Sequence, residues 1–220
     1  RDYYASRGLG DVYKRQGITI VSIVIQFGVE ASSIAALVAS AGVGISLALQ
    51  GGLSNFVGGI LILFLKPFRA GDYIICPSEG VEGTVQKIEM YYTTIMSIDN
   101  RMILVPNSNL TNHTITNVTA MNRRKLEITV GISYQANLRK AKEVLEKLVE
   151  HDSRFQEEDR QFFVDGLEDS SVTIGFRAWV ATEDYIQTRW DMLEKIKLTF
   201  DEEGIEIPYN QLDVHVKGQI

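Results

Sequence analysis

The chain has 220 residues, 45% of them hydrophobic, and a formal net charge of -6 at pH 7. This acidic balance argues against general nucleic-acid binding, because phosphate contacts require a concentrated surface of lysines and arginines. One cysteine cannot form an internal disulfide, and together with three scattered histidines it gives no zinc-ligand spacing. We therefore expect no metal, no cofactor, no catalytic residues and no nucleic-acid partner.

The first sixteen residues differ in composition from the rest of the chain. Residues 1–16 are polar, aromatic and unpatterned, start with Arg1 rather than methionine, and join abruptly onto an apolar run at Gly17. This composition predicts a non-native or artefactual leader, which we set aside in predicting the fold.

Charged side chains are almost absent from the next stretch of the chain. Between Gln16 and Leu65 the only one is Glu30, whereas the rest of the sequence is rich in charge. The contrast predicts a transmembrane region over residues 17–65 and a soluble region behind it.

Residues 17–29 are apolar and β-branched, but too short for a helix that spans a bilayer, which takes about 20 residues. They predict the end of a preceding transmembrane helix. A buried strand is the alternative, because Thr19, Val21, Ile23 and Ile25 would suit a strand well.

Residues 32–50 predict a transmembrane helix that lines a pore. Ser32 or Ser33 can cap a helix that ends at Gln50, about 28 Å long at about 1.5 Å per residue and free of charge. That length matches the hydrocarbon core of a membrane.

A helical wheel at about 100° per residue gives this helix faces of distinct composition. One narrow stripe lies between two ridges of very small residues, and the opposite face is bulky. The stripe is Ala36, Ser40, Val43 and Leu47; the ridges are Ala35, Ala39, Gly42 and Ser46 on one side and Ala41, Gly44 and Ala48 on the other; the bulky residues are Ile34, Val38, Ile45 and Leu49.

Small residues on both flanks allow neighbouring helices to approach closely on two sides. Repeating that contact around an axis gives a cyclic assembly with the stripe facing inward, where Ala36 and Ser40 line the pore. Rings of Val43 and Leu47 then form an apolar gate that closes by dewetting. The alternative is an ordinary Gly/Ala-rich helix inside a bundle, which the wheel alone does not exclude.

Glycines come directly after this helix. Gly51 and Gly52 each cost about 1 kcal/mol in a helix interior, which predicts a break. Helical spacing resumes over residues 53–65 and predicts a second helix, kinked away at Gly51, Gly52 and Gly59. One continuous longer helix is the alternative.

Lysines and arginines after the span, beginning with Lys66 and Arg69, place the rest of the chain in the cytoplasm by the positive-inside tendency. Short β segments at 73–75, 83–88, 92–98 and 102–105 predict a β-domain over residues 66–125. We expect Asp72 to pair with Arg69 or to cap a backbone turn.

The remaining sequence predicts an α+β domain over residues 126–211. Its strands are expected at 126–132 and 172–180, and its helices at 137–151 and 183–203. The alternation of residues 212–220 predicts one further short strand.

Two strings of residues carry a resemblance to a known family. Ala41-Gly42-Val43-Gly44-Ile45-Ser46-Leu47-Ala48-Leu49-Gln50-Gly51-Gly52-Leu53-Ser54-Asn55, followed by Lys66-Pro67-Phe68-Arg69-Ala70-Gly71-Asp72, resembles the third transmembrane helix and its exit in the small-conductance mechanosensitive channel family, MscS. The similarity continues through Val105-Pro106-Asn107 and Trp190-Asp191.

The resemblance implies a homoheptamer in a bacterial-type inner membrane, multi-pass, in contact with membrane lipids and with its C-terminal domain in the cytoplasm. It also implies a kink at Gly51, a barrel-like (Sm/SH3-like) β-domain, a hollow cytoplasmic cage with side portals, and a barrel strand at residues 212–220. The gate positions would be Val43 and Leu47, although the first is commonly leucine in the family.

The function implied is a channel that membrane tension opens, releasing ions and small solutes on hypo-osmotic shock. The alternatives are a relative gated by a cytoplasmic ligand and a membrane-anchored scaffold that does not conduct.

Overall fold

The computed structural model describes the backbone of residues 2–212 and the side chains of residues 11–212. Two compact units part between Thr116 and Asn117. The helices are α1 (Asp2–Gln26), α2 (Ala31–Leu65), α3 (Asn107–Asn112), α4 (Leu138–Glu150) and α5 (Tyr185–Glu202); the strands are β1 (Tyr73–Cys76), β2 (Val81–Ile88), β3 (Tyr92–Met96), β4 (Met102–Pro106), β5 (Thr116–Asn117), β6 (Arg123–Ile132), β7 (Gln161–Leu167) and β8 (Val172–Ala181).

Helix α1 runs without interruption through the junction expected at residue 16. The helical interpretation of residues 17–29 is confirmed as far as Gln26, and the buried-strand alternative is wrong. The same helix contains the described backbone of residues 2–16, and the non-native origin of this segment stays a prediction. No proline interrupts α1, and the Thr19 hydroxyl donates to the Arg15 carbonyl at 2.8 Å, a bond that a helix accommodates.

Helix α2 begins one residue earlier than predicted. Glu30 occupies the N-cap position and makes no side-chain capping bond to the helix. The Ser32 hydroxyl donates to the Glu30 carboxylate at 3.1 Å instead, so neither Ser32 nor Ser33 is the cap.

The predicted division of α2 into two helices, 32–50 and 53–65, is wrong, and the continuous alternative is correct. Gly51 and Gly52 weaken the helix without breaking it, because glycine lacks only a side chain and keeps its backbone hydrogen bonds. The helix ends where Lys66 adopts a left-handed φ of 51° and donates its N–H to the Ile62 carbonyl. Pro67 then prevents continuation.

The β-domain is built on a five-stranded sheet in the order β4-β3-β2-β1-β5. The four predicted strands from residue 73 to residue 105 are confirmed, each within a few residues of its bounds. The core of this β-domain is Ile62, Phe68, Ile74, Cys76, Val85, Ile95, Val105 and Leu110. Asp72 accepts the Arg69 backbone N–H at 2.9 Å, which confirms its role in a backbone turn.

The second unit contains the sheet β6-β8-β7 with α4 and α5 packed against it. Strands β6 and β8 pair in register over ten residues each. The predicted strands and helices are confirmed, but the sequence interpretation missed β7. Strand β6 begins at Arg123, three residues before the predicted start of the α+β domain at residue 126.

Helix α5 presents its apolar residues on two faces. Met192, Ile196 and Phe200 are buried, whereas Ile186 and Trp190 are exposed. The predicted strand at residues 212–220 lies outside the described residues from 213 onward.

A cluster of charged side chains links the start of the loop between α4 and β7 to helix α5. Asp152 is 7% exposed and accepts two hydrogen bonds from the Arg154 guanidinium, at 2.9 and 2.7 Å, and one from Lys195 at 3.0 Å. Arg154 also donates to Asp191 at 2.7 Å. The bonds from Arg154, and then those from Lys195, hold the pKa of the Asp152 carboxyl well below its usual range.

Candidate pore helix and its junction with the β-domain

The predicted pore stripe is solvent-facing in the single chain. Val43 is 61% exposed and Leu47 is 66% exposed, and Ala36 and Ser40 are exposed as well. The Ser40 hydroxyl donates to the Leu37 carbonyl at 2.9 Å, so part of its polarity is satisfied within the helix. No side chain among the described residues covers the stripe.

The ridge residues Ala39, Gly42, Gly44, Ser46 and Ala48 are also exposed. A methyl group built on Gly42 or Gly44 would meet no described atom within 4 Å, and the same holds for Gly51 and Gly52. These positions therefore leave room for a helix backbone to approach.

The first part of the bulky face of α2, Ile34 and Val38, lies toward α1. A cavity of about 390 Å³ between the two helices is lined by Ile20, Val21, Val24, Val29, Ser33, Ile34, Leu37 and Val38. Val43 follows Ile34 by nine residues, and Leu47 follows Val38 by nine. Nine residues are about two and a half helical turns, so the two members of each pair point to opposite sides of the helix. The stripe therefore lies on the face of α2 that points away from α1.

Two glycines of α2 allow close packing against the β-domain. Both Gly58 and Gly59 are buried. A methyl group on Gly59 would lie 2.5 Å from the Met90 carbonyl oxygen, and one on Gly58 would lie 3.0 Å from the Asn107 carbonyl carbon. Gly59 therefore has a packing role, since only glycine lets α2 approach the β-domain this closely, and its role in a kink stays a prediction.

Asn107 is the centre of this junction and is fully buried. Its side-chain NH₂ donates to the Glu89 carbonyl at 2.8 Å, its side-chain oxygen accepts from the buried Thr93 hydroxyl at 2.8 Å, and its backbone N–H donates to the Tyr91 carbonyl at 3.0 Å. Buried polar groups with every partner in place rigidify a site. The network holds the start of α3 at one position relative to β3.

Asn55 connects α2 to that network. Its side-chain oxygen accepts from both the Ser108 backbone N–H at 3.0 Å and the Ser108 hydroxyl at 2.6 Å. Next to it, the Phe56 ring lies 6.1 Å from the Tyr91 ring. We call the residues Asn55, Phe56, Gly58, Gly59, Met90, Tyr91, Thr93, Asn107 and Ser108 the helix–β junction.

The sequence interpretation did not identify the helix–β junction. It used Leu53-Ser54-Asn55 and Val105-Pro106-Asn107 only as marks of a family and assigned the nearby glycines to a kink. The usable signal was a pair of adjacent glycines, Gly58 and Gly59, inside an otherwise apolar helix, since such glycines often mark close backbone approach.

Two further properties concern membrane insertion and metal binding. Among the described residues, α2 is the one helix long and apolar enough to cross a membrane, and none of its most apolar stretch is buried. In the same part of the chain, no group of three His, Cys, Asp or Glu side chains could hold a metal ion.

Comparison with known proteins gives consistent matches. The family model for the mechanosensitive ion channel β-domain matches residues 52–120, and that for the C-terminal region of mechanosensitive ion channel MscS matches residues 126–207. An MscS family protein of Buchnera aphidicola subsp. Baizongia pistaciae is 36% identical over 193 residues, which cover 86% of this chain and 67% of the relative.

Relatives from Helicobacter pylori match in sequence and in structure. The small-conductance mechanosensitive channel of strain UM084 is 30% identical over 206 residues, covering 92% of this chain and 74% of its own. The crystal structure of Helicobacter pylori MscS in its closed state aligns with a TM-score of 0.82 at 28% identity, over 92% of this chain and 80% of that one.

Proposed function

The chain belongs to the MscS family of mechanosensitive ion channels, and from that premise we propose that membrane tension opens a pore lined by the α2 helices of several copies. The observation that carries the proposal is the face of α2 that points away from α1. It is apolar at Val43 and Leu47, bordered by open small residues, and left uncovered by the described chain.

The gate is a pair of apolar rings. In a cyclic assembly, Val43 and Leu47 of each copy face the axis. The constriction they form is narrow and apolar, and water leaves it because no charged group there binds water. Separating the helices widens the rings until water and ions enter. Ala36 and Ser40 line the pore on the same face.

The helix–β junction couples α2 to the cytoplasmic side. The Asn55–Ser108 hydrogen bonds and the buried Asn107 network allow little sliding of α2 against the β-domain. A displacement of the lower half of α2 therefore moves α3 with it, so that gate and β-domain respond together.

Channels of this family form homo-oligomers in a membrane. For this protein we propose a heptamer in a bacterial-type inner membrane, with further transmembrane passes and with the β- and α+β domains in the cytoplasm. Its role is to release ions and small solutes on hypo-osmotic shock. Lys66 and Arg69, directly after α2, support the cytoplasmic side for these domains.

Patch-clamp recording under stepped suction tests this proposal. The intact channel is expressed in bilayer patches that lack native mechanosensitive channels, and its presence in the membrane is verified by immunoblot. We expect a large, weakly selective conductance that appears below lytic tension. No current at lytic tension from folded, inserted protein would overturn tension gating, and current that requires an added cytosolic solute would indicate a ligand-gated relative.

A further inference from the structure

The imidazole of His113, at the end of helix α3, makes two polar contacts. Its Nδ1 lies 2.9 Å from the Asn109 carbonyl oxygen, and because a carbonyl only accepts, Nδ1 carries a proton and donates it. The same nitrogen lies 3.7 Å from the carboxylate of Glu79, on the turn between β1 and β2. Within the described part of the chain, neither side chain has another oppositely charged group at ion-pairing distance.

The Glu79 carboxylate is held on a stiff turn. Glu79 ends the short helical turn Pro77–Glu79, which proline begins, and Gly80 closes it with a left-handed φ of 62°. The Gly80 N–H donates to the Pro77 carbonyl at 3.2 Å. Burial, and then the charge of Glu79, raise the pKa of the adjacent Cys76 thiol, which therefore stays neutral.

The other neighbours of the His113 ring are uncharged, and two of them belong to α2. His113 lines a cavity of about 340 Å³ together with Leu61 and Leu65 of α2 and with Leu110 and Ile115. No lysine, arginine, aspartate or glutamate lines this cavity, and α3 itself carries none. Among the described residues, Glu79 is therefore the one charged group that faces the ring.

The ion pair between His113 and Glu79 depends on pH. Histidine changes its charge between about pH 5 and about pH 8, a range in which glutamate is ionised. In acid the ring is a cation that pairs with the carboxylate and that the helix-end carbonyls also favour. An ion pair favours the charged ring, so its contribution is complete in acid and is lost as pH rises.

We propose that His113 and Glu79 form a pH-dependent contact that fixes the end of α3 in acid and raises the tension needed for opening. The start of α3 is held at every pH by the Asn107 network and by the Asn55–Ser108 bonds, which contain no titrating group. Acid therefore stabilises the arrangement of α2 and α3 in this structure, which aligns with a closed-state relative. The contact stands on geometry, whereas its effect on opening rests on the proposed function.

Hydrogen exchange of the intact channel in detergent tests the contact itself. Exchange of the α3 amides is followed by mass spectrometry at about pH 5.5 and about pH 8 and corrected for the intrinsic effect of pH. The parent is compared with His113→Gln, Glu79→Gln and the control His151→Gln. His151 is matched to His113 because its Nδ1 also lies near a carbonyl four residues earlier, that of Lys147, at 2.6 Å. In the described chain it has no carboxylate within ion-pairing distance.

The expected change is that of a partly exposed pair, since the side chains of His113 and Glu79 are 48% and 26% exposed. Corrected exchange should be about twofold to fivefold slower in acid in the parent and in His151→Gln. His113→Gln and Glu79→Gln should lose most of this difference. A pH dependence that persists in both of these variants, or that disappears in His151→Gln, would overturn the proposal.

Patch-clamp recording with the cytosolic face at the same two pH values tests the effect on opening. We expect the parent to need higher suction in acid, and His113→Gln to open at nearly the same suction at both pH values. An equal shift in parent and variant would overturn the effect on opening. No current at either pH from folded, inserted protein would overturn the proposed function, while hydrogen exchange would still decide the contact.

Discussion

The upper half of α2, residues 31–52, and the α+β unit place their apolar side chains in opposite environments. In the upper half of α2, Leu47 and Leu49 are each more than 60% exposed, and Ile34 is the only residue that is even partly covered. In the α+β unit, Leu126, Ile174 and Phe200 are fully buried. One region finds its partners within the chain, and the described residues leave the apolar side chains of the other uncovered.

This difference explains what each region can do. A unit with a complete core keeps one shape, because loss of packing at any core position costs free energy. A helix whose apolar surface is shared between lipid and other copies can exchange one set of partners for the other at modest cost. In the proposed function, tension acts on α2 while the α+β unit remains folded.

Of the substitutions proposed here, Asp152→Asn is expected to destabilise the α+β unit most. The change leaves the partly covered Arg154 and Lys195 without their shared carboxylate, and we expect a loss of about 3 kcal/mol of unfolding free energy. Urea unfolding followed by tryptophan fluorescence reports this unit, because both tryptophans, Trp179 and Trp190, belong to it.

Asp201→Asn is the matched control, since its exposed pair with Lys197 contributes about 0.5 kcal/mol or less. The pKa of Asp152 is depressed in the folded state, so its contribution is complete above the unfolded-state value of about 4 and is lost as pH falls below it. The parent and Asp152→Asn should therefore differ by a constant amount from pH 8 to pH 5 and converge below pH 4. A difference that shrinks already at pH 6 would contradict the assignment.

One face of the lower half of α2 is packed, with Gly58, Gly59 and Ile62 buried, and a pair of glycine substitutions tests this. Gly59→Ala places a methyl group against the Met90 carbonyl and should cost about 2 kcal/mol. Gly51→Ala meets open space and should instead stabilise the helix by up to about 1 kcal/mol.

Hydrogen exchange of the Asn107 and Ser108 amides measures the effect where it arises. Exchange should become faster in Gly59→Ala and stay unchanged in Gly51→Ala. Equal exchange in the two variants would mean that α2 does not need glycine for its approach to the β-domain.

The smallest expected effect lies in the upper half of α2. Val43→Leu adds one methylene per chain to the proposed first ring, worth about 0.8 kcal/mol of apolar contact per copy when buried. We expect less leak and a higher opening tension, read as current against suction. Identical leak and threshold in the parent and Val43→Leu would show that Val43 is not part of the gate.

The elements of this fold that the sequence predicts are those that leave a local pattern in the order of residues. Alternation and helical spacing predicted β1 to β4, β6, β8, α4 and α5, because burial of one face imposes a period on the residues. Intrinsic glycine propensity predicted a break at Gly51 that the structure lacks, since propensity is weak against an otherwise continuous helix.

The helix–β junction could not be predicted because its partners are remote in sequence. Asn55 and Ser108 are 53 residues apart, and Asn107 is 18 residues from Glu89. No local pattern reports such a pairing.

Strand β7 was missed because its bulge between Val164 and Gly166 interrupts the alternation of buried and exposed residues. The pore stripe was visible from spacing alone, and its role remains a prediction.

The most direct test of the proposed gate compares Leu47→Ser with Leu49→Ser by patch clamp under stepped suction. Both changes put the same hydroxyl on the same helix, but the two positions lie about 200° apart, on the stripe and on the bulky face. We predict that Leu47→Ser opens at clearly lower tension, because a polar ring holds water in the constriction, whereas Leu49→Ser opens near the parent threshold. An unchanged threshold in Leu47→Ser, or an equal shift in Leu49→Ser, would contradict the gate.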